Sequence, residues 1–208
     1  SVLGRIDVNG LLGGRYGAVV SLPADMGTVA SLPLKGRVFV LQNADVVVNS
    51  AQIFVNGSAV DRGNGTFVIK GGNLFINQNI TYADAAISKL SQLASVGFIV
   101  LDADPLQPGY GTKGNIYIGK DVTRLDGAYF AGGQFGVYTV WPDTDESNVS
   151  LTVRGLMVAK QFHLGRNYKS STEGSEQFSY DGRAVANPPP GFADITKSLP
   201  IFRDTAPQ

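Results

Sequence analysis

The sequence predicts an all-β protein, a single right-handed β-solenoid in which the chain winds through stacked coils. A ten-residue phrase occurs twice, as GNLFINQNIT at 72–81 and as GNIYIGKDVT at 114–123. Glycine is also frequent, with 26 residues in a chain of 208, against an average usage of about 7%. Valine and isoleucine recur between the glycines, a composition typical of short strands that are joined by tight turns.

The repeated phrase belongs to a wider set of segments that share one template: a small residue, a polar residue, then aliphatic, aromatic and aliphatic residues. Segments that begin at Gly36, Ala51, Gly72 and Gly114 follow this template, and 155–159 is a degenerate fifth copy. Their spacings lie near one or two units of about 20 residues, which is typical of stacked coils with loops of variable length. A unit of that length predicts eight to ten coils.

Alternate residues of each phrase are predicted to point into the lumen of the solenoid and to stack as ladders. In the second copy the predicted ladder residues are Ile116, Ile118 and Val122, and Tyr117 and Lys120 are free to face a partner. Asparagine side chains at the turns are expected to stack between adjacent coils, where their amides satisfy backbone groups.

A β-sandwich or jelly roll is the structural alternative, because it also contains many short strands and glycine turns. Asn-Gly pairs, the strongest hairpin signal, occur only at 9–10, 56–57 and 64–65. We therefore favour the solenoid.

One segment departs from the β pattern and predicts a short flanking helix over residues 84–96. Its apolar residues recur at helical spacing, Asp84 is a suitable N-cap, and Gly97 suits the C-terminal end. We expect the solenoid body to cover residues 1–165. Residues 166–208 then form an extended loop and a proline-rich tail of the same domain, pinned to the body by the apolar residues Phe192, Ile195, Leu199, Ile201 and Phe202.

Charge and hydropathy exclude several functional classes. The 17 basic and 17 acidic residues are scattered and balance to zero, so no basic face predicts nucleic-acid binding. No signal peptide is visible and no run approaches the roughly 20 apolar residues of a membrane helix, so we expect no membrane span in this chain. The absence of cysteine excludes thiol chemistry and a disulfide framework.

The catalytic candidates are Asp121, Arg124 and Asp126, because solenoid polysaccharide lyases and hydrolases carry acidic and basic residues in an exposed groove. Asp121 aligns with Asn79 of the first copy, which favours a role in the turn. His163 is the single histidine. It has no partner of metal-ligating type in the sequence nearby, and alternation predicts that it points outward, opposite to Phe162 and Leu164.

Acidic residues cluster at Asp143, Asp145 and Glu146, where loop carboxylates could supply oxygen ligands to Ca²⁺. The run lacks the glycine and the distal glutamate of a complete calcium loop, so solvated loop charge is the simpler interpretation and no cofactor is expected. The candidate binding residues are aromatic: Trp141, Tyr117, Tyr129 and Tyr138. A tryptophan in a loop can stack on a sugar ring.

The order of segments from Gly114 onward, GNIYIGKDVTRLDGAYFAGG, LTVRGLMVAKQFHLGRNY and SEQFSYDGRAVANPPPGF, resembles that of poorly characterised bacterial envelope proteins. The C-terminal part of these proteins is a β-helix, and they are associated with type IV pili and minor pilins. The resemblance covers residues 72–191 and is strongest after Gly114. It implies a solenoid fold, an extracellular or cell-surface location in a bacterium, and envelope or pilus proteins as partners.

Together these features predict a non-enzymatic structural or adhesion module of the cell surface, possible partners being envelope or pilus proteins or surface polysaccharide. The alternative is a carbohydrate-active enzyme or polysaccharide-binding β-helix module. A third hypothesis is a polymer that grows by end-to-end stacking, as in the bactofilins. A polymer requires an uncovered solenoid end with unpaired strand groups, and an enzyme requires carboxylates that converge in a groove.

Overall fold

The chain winds as a β-solenoid whose paired strands are all parallel, which confirms the predicted fold class. The computed structural model describes residues 6–27, 34–83, 85–103, 112–167 and 174–193. The helices are α1 (Val8–Leu12) and α2 (Arg183–Ala186). The strands are β1 (Val19–Ser21), β2 (Arg37–Gln42), β3 (Val46–Val48), β4 (Gln52–Phe54), β5 (Asn64–Lys70), β6 (Leu74–Ile76), β7 (Ile80–Tyr82), β8 (Ser95–Leu101), β9 (Ile116–Gly119), β10 (Arg124–Ala131), β11 (Val137–Trp141), β12 (Leu151–Ala159), β13 (Phe162–His163) and β14 (Glu176–Ser179).

Two sheets form the walls. Sheet A contains nine strands in the order β1-β2-β5-β8-β10-β12-β14, with β7 beside β10 and β4 beside β7; sheet B contains five, in the order β13-β11-β9-β6-β3. Equivalent residues of sheet B, Val46, Leu74, Ile116, Val137 and Phe162, are 28, 42, 21 and 25 residues apart. Coils of this length give five turns of sheet B, so the predicted eight to ten coils are wrong. Loop excursions lengthen three of these four intervals beyond the 20-residue unit.

A glycine corner joins two parts of sheet A. The first residues of β10 continue a short arm that contains β4 and β7, because Leu125 pairs with Ile80, whereas residues 128–131 pair with β8. Gly127 lies between these two parts with φ +135°, and Gly155 lies beside it in β12 with φ +142°. L side chains rarely adopt these angles, so the two glycines allow both strands to bend at the same level.

The lumen is filled by ladders of equivalent side chains. Phe39, Phe67, Phe98 and Tyr129 stack along sheet A, with ring centroids 4.8, 5.0 and 5.1 Å apart, close to the strand spacing of about 4.8 Å. Sheet B contributes aliphatic residues to the same core, and the predicted ladder residues Ile116, Ile118 and Val122 are all buried there.

A second core covers the outer face of sheet A. Outward residues of β2, β5, β8 and β10 pack against α1 and Phe192. The tail is tied to this face by side chains of β5: the Asn64 amide donates to the Pro188 carbonyl and the Thr66 hydroxyl to the Pro190 carbonyl, both at 2.7 Å. Burial on both faces explains why β5 and β8 are almost continuously buried.

The tail therefore packs on the body as far as it is described, through residues 188–192. The other predicted anchors, Ile195, Leu199, Ile201 and Phe202, lie outside the described residues. The solenoid continues past the predicted boundary at residue 165, because β14 adds a further strand beside β12.

The predicted helix over 84–96 is wrong. A single 3-10 turn covers Leu90–Gln92, and β8 already begins at Ser95; Asp84, the predicted N-cap, lies outside the described residues. Asn56 of the preceding coil donates to the Ala85 carbonyl and accepts from the Ala94 amide. These two bonds hold the backbone of Ala85 and Ala94 against the preceding coil. Val96 and Phe98 fill the lumen as residues of β8, so tertiary contacts override the helical spacing.

The repeated phrase at 72–81 and 114–123 does mark stacked coils, because β6 and β9 pair in register, with Phe75 beside Tyr117. The equivalence then slips, since Ile80 pairs with Leu125 rather than with Val122. The other template copies do not join this stack: the segments at Gly36, Ala51 and Gly155 belong to sheet A. The true counterpart of Gly155 is Gly127.

The predicted asparagine ladder is confirmed at the entry to sheet B. Asp45 accepts from the Asn73 amide at 2.8 Å, and Asn73 Oδ1 accepts from the Asn115 backbone amide at 3.0 Å and from its side-chain amide at 3.2 Å. Asn115 Oδ1 in turn accepts from the backbone amides of Phe135 and Gly136. The ladder therefore satisfies backbone donors across four successive coils.

Asn115→Ala is expected to lower the free energy of unfolding by about 2–4 kcal/mol, because it leaves the backbone amides of Phe135 and Gly136 in the next coil without their acceptor. Urea denaturation followed by circular dichroism measures this loss. Asn77→Ala is the matched control: the side chain of Asn77 donates to Asn49 at the exposed surface, so a change of less than about 0.5 kcal/mol is expected. Equal losses in the two variants would contradict the role of the buried ladder.

Candidate functional site

A row of aromatic side chains runs along the outer face of sheet B. Phe75, Tyr117, Tyr138 and His163 are paired in register on β6, β9, β11 and β13, and their lumen-facing neighbours place them on the outside. Parallel strands in register bring equivalent residues about 4.8 Å apart, so the rings stack. We call these four residues, with Trp141, the aromatic row.

The rings of the row are in close contact. Phe75 and Tyr117 stack with centroids 5.0 Å apart and planes 17° apart, and Tyr138 and His163 stack at 4.0 Å and 7°. Tyr117 and Tyr138 are 5.4 Å apart at 30°. Because most faces within the row are occupied by neighbouring rings, these rings present mainly their edges to solvent.

Trp141 differs from the rest of the row because its ring is tilted. It ends β11 opposite Gly119, after a shift in register that follows Tyr138. Its indole lies 4.3 Å from Tyr117 at 43° and 5.6 Å from Tyr138 at 72°. The indole is half-buried, so one side rests on the row and part of the ring stays accessible.

Tyr117 is the centre of the row and is only 7% exposed, since Phe75, Tyr138 and Trp141 surround its ring. Burial raises the pKa of Tyr117, and the neighbouring Tyr138 raises it further. The phenol therefore stays protonated and neutral at physiological pH. Tyr117 acts as a rigid support beneath Trp141 more than as an exposed contact.

Paired charges flank the row at both ends of β9. Lys113, before the strand, bonds to Asp45 at 2.9 and 3.1 Å, and Lys120, after it, pairs with Asp145 at 3.3 Å. Exposed ion pairs of this kind add little stability, and each of the two pairs carries no net charge of its own. Asn77 lies beside Gly119, the residue of β9 that pairs with Trp141.

Arg166 lies beneath the end of the row that carries Trp141. Its guanidinium is buried and donates to the carbonyl oxygens of Thr139 and Gly119 at 3.0 Å, Val149 at 3.2 Å and Lys120 at 3.3 Å. Burial lowers the pKa of Arg166, which the carboxylates of Glu176 and Asp121 partly oppose. Since Thr139 lies between Tyr138 and Trp141, this side chain holds the backbone that positions both rings.

Of the four predicted binding residues, the structure brings together Trp141, Tyr117 and Tyr138 but not Tyr129. The prediction for Tyr129 is wrong: its ring is fully buried in the lumen, stacked on Phe98, and its hydroxyl donates to the Asp126 carbonyl at 2.9 Å. The side chains of residues 125–131 alternate between the lumen and the outer face of sheet A, and this alternation directs Tyr129 into the lumen.

The predicted catalytic residues do not form a site. Asp126 is 1% exposed, and its carboxylate accepts from Arg124 at 2.9 and 2.7 Å and from the Tyr82 amide at 3.1 Å. A carboxylate with these partners holds β7 against β10 and is closed to a substrate. Asp121 is exposed in the turn before β10, so the two carboxylates differ in environment and do not line a shared groove.

The predicted calcium ligands also remain separate. Asp143 and Glu146 are exposed, while Asp145 pairs with Lys120. Among the residues that the structure describes, no three histidine, cysteine, aspartate or glutamate side chains lie close enough together to hold a metal ion.

Two members of the row, Phe75 and His163, were not among the predicted binding residues. The outward direction predicted for His163 is confirmed, but its partner was not recognised, because Tyr138 and His163 meet only through the register of β11 and β13. The signal for Phe75 was present in the repeat itself, where it occupies the position of Tyr117.

No helix among the described residues has the length and apolar character that crossing a membrane requires. Comparison with known proteins found no matching family model, no matching curated protein and no matching solved structure.

Proposed function

We propose that this protein is a non-enzymatic adhesion module of the bacterial cell surface and that it binds a polysaccharide through Trp141. The observation that carries the proposal is the placement of this indole: it lies against Tyr117 at 4.3 Å, is flanked by Tyr138 and Phe75, and remains partly exposed on the outer face of sheet B. A rigidly supported ring loses little conformational freedom when a ligand stacks on it.

A sugar ring suits this surface because it presents apolar C–H groups on one face and hydroxyl groups at its edge. The indole supplies a matching apolar face, and Asn77, Lys120 and Asp145 supply donors and acceptors beside it. The pairing of Lys120 with Asp145 favours a neutral polysaccharide over a polyanion. The flat face of sheet B is open along the strands, which suits an extended chain of sugars better than a small enclosed ligand.

The environment of the predicted catalytic carboxylates favours a binding role over catalysis. Asp126 is saturated by Arg124 and Tyr82, whereas glycoside hydrolysis needs two accessible carboxyl groups on opposite sides of the scissile bond. The cell-surface location and the envelope or pilus partners within this proposal rest on the sequence resemblance described above.

Trp141 is the only tryptophan of the chain, so its fluorescence reports directly on the proposed site. Titration with soluble neutral polysaccharides (xylan, β-glucan and a chitin oligosaccharide), with polyanionic alginate as a comparison, is expected to change the emission for a neutral glycan. Trp141→Leu is expected to weaken binding at least tenfold, measured by affinity electrophoresis, since truncated interface tryptophans typically cost more than about 1.4 kcal/mol.

Two further variants make this test specific. Trp141→Phe keeps a stacking face and is expected to retain most of the affinity. Tyr16→Ala removes an exposed aromatic residue outside the row and is expected to bind as the unmodified protein does. The proposal fails if no polysaccharide changes the emission of Trp141, or if the folded Trp141→Leu variant binds with unchanged affinity.

A further inference from the structure

Gly119 interrupts a column of polar side chains on the outer face of sheet B. Asn49, which follows β3, and Asn77, which follows β6, lie side by side in this column, and the Asn77 amide donates to Asn49 Oδ1 at 2.9 Å. In the repeated phrase Gly119 occupies the position of Asn77, and β6 and β9 pair in register. Trp141 pairs with Gly119 on the other side. The column therefore lacks a side chain at one position, directly beside the residue that carries the indole.

The backbone does not require glycine at this position. The φ of Gly119 lies outside the left-handed region, whereas Gly114, which begins the same phrase, has φ +86°. The nearest atoms to a Cβ added at Gly119 would be the Cα and Oδ1 of Asn77 and the carbonyl oxygen of Ile76, each at 3.4 Å. These distances are those of van der Waals contact, so alanine fits here. The space beyond a Cβ, and not the backbone, therefore distinguishes glycine from a longer residue at this position.

The indole of Trp141 leans across β9 into this space. Trp141 and Phe75 lie on β11 and β6, the two strands that flank β9, so rings that stood above their own strands would be at least two strand spacings apart, or about 9.6 Å. The two ring centroids are only 6.5 Å apart, and the indole lies 4.3 Å from Tyr117. Because side chains alternate along a strand, Tyr117 and Gly119 share the outer face of β9. A side chain longer than alanine at Gly119 would therefore compete with the indole for the surface of β9.

We infer that Gly119 is a positioning residue of the Trp141 site, because its missing side chain allows the indole to lie across β9 and rest on Tyr117. This inference rests on the proposed function, in which a sugar ring stacks on the partly exposed indole. An asparagine at this position would extend the column that Asn49 and Asn77 begin, and it would displace the indole toward solvent. A displaced indole must be ordered again when a ligand stacks on it, so affinity falls.

Acrylamide quenching of Trp141, the only tryptophan of the chain, tests this inference without a ligand. In Gly119→Asn the quenching constant is expected to rise at least twofold and the emission to shift to the red. Gly119→Ala is the matched control and is expected to leave both unchanged, because a Cβ fits at this position. Circular dichroism establishes that the variants are folded. If Gly119→Asn does not fold, Gly119→Ser takes its place, with a smaller change expected in the same direction. A folded variant that is quenched like the unmodified protein overturns the inference, as does Gly119→Ala if it matches Gly119→Asn.

Affinity electrophoresis in xylan and β-glucan measures the consequence for binding. Gly119→Asn is expected to bind at least tenfold more weakly than the unmodified protein, and Gly119→Ala with the same affinity. If neither polysaccharide nor a chitin oligosaccharide binds the unmodified protein, the proposed function fails, while the quenching measurement still decides whether Gly119 positions the indole. If binding is lost in Trp141→Leu but unchanged in a folded Gly119→Asn variant, the proposed function stands and this inference fails.

Discussion

Arg166→Ala is expected to lower the free energy of unfolding by about 3–5 kcal/mol, the largest loss at any single side chain discussed for this protein. The guanidinium donates to four backbone carbonyls, those of Gly119, Lys120, Thr139 and Val149. Its own backbone amide donates to Glu176, which also accepts from the Thr139 hydroxyl. The substitution removes all of these guanidinium bonds, although the Gly119 and Lys120 carbonyls keep the Val122 amide and the Ser147 hydroxyl as donors, and it disconnects three turns of the last coils.

Denaturant unfolding measures this loss, and two variants define its cause. Arg166→Lys is expected to recover less than half of the lost stability, because one ammonium group cannot reproduce the planar set of donors. Arg154→Ala removes an exposed arginine outside the Arg166 network, and a change below about 0.5 kcal/mol is expected. If Arg166→Ala and Arg154→Ala unfold with the same free energy, the network does not stabilise the fold as described.

The Arg166 network also links stability to the candidate site. Because the Thr139 carbonyl bonds to Arg166 and lies between Tyr138 and Trp141, loss of the guanidinium is expected to loosen the indole as well. The fluorescence of Trp141 in the Arg166→Ala variant should therefore shift to the red before global unfolding begins. Unchanged emission would show that the Arg166 network does not hold the Trp141 indole in place.

Gly155→Ala is expected to lower the free energy of unfolding by about 3 kcal/mol or more. Its φ of +142° is unfavourable for an L side chain, and an added Cβ would collide with the Gly127 carbonyl oxygen on the neighbouring strand. Backbone atoms cannot move aside as a flexible side chain can, so β10 and β12 must separate at the corner of sheet A. Thermal unfolding and urea denaturation both report the effect.

Gly182→Ala is the matched control, because an added Cβ there meets no atom within 4 Å and φ is −63°. A neutral or slightly stabilising change is expected, since alanine restricts the unfolded chain. Gly127→Ala should resemble Gly155→Ala, because Gly127 has φ +135° and a Cβ there would touch Val96. Wild-type stability in both corner variants would show that the bend does not require glycine.

The lumen-facing residues of the repeated strands β6 and β9 could be predicted from local patterns. Ile116 and Ile118 point inward and Tyr117 outward because side chains alternate along a strand whatever surrounds it. The pairing of β6 with β9 was visible as a repeated phrase, and the stacked Asn73 and Asn115 followed from their place in it. These features depend on a few consecutive residues, so the sequence alone carries them.

The length of the coils and the state of residues 85–95 could not be predicted in this way. The apolar residues of that segment do recur at helical spacing. However, the Asn56 side chain bonds to the backbone of the segment, and Val96 and Phe98 pack in the lumen as part of β8. The coil count was wrong for a related reason, since the loops between strands carry no periodic signal and their lengths vary from coil to coil.

What the sequence by itself determined is a parallel β-solenoid with an aromatic residue facing outward at Tyr117. Only the tertiary structure decided which aromatic residues meet and which carboxylates are closed off. Tyr138 contacts His163, Tyr129 enters the lumen, and Asp126 is sealed by Arg124 because the register between coils places them so. That register depends on loop lengths and on the corner at Gly127 and Gly155, which no local pattern of side chains encodes.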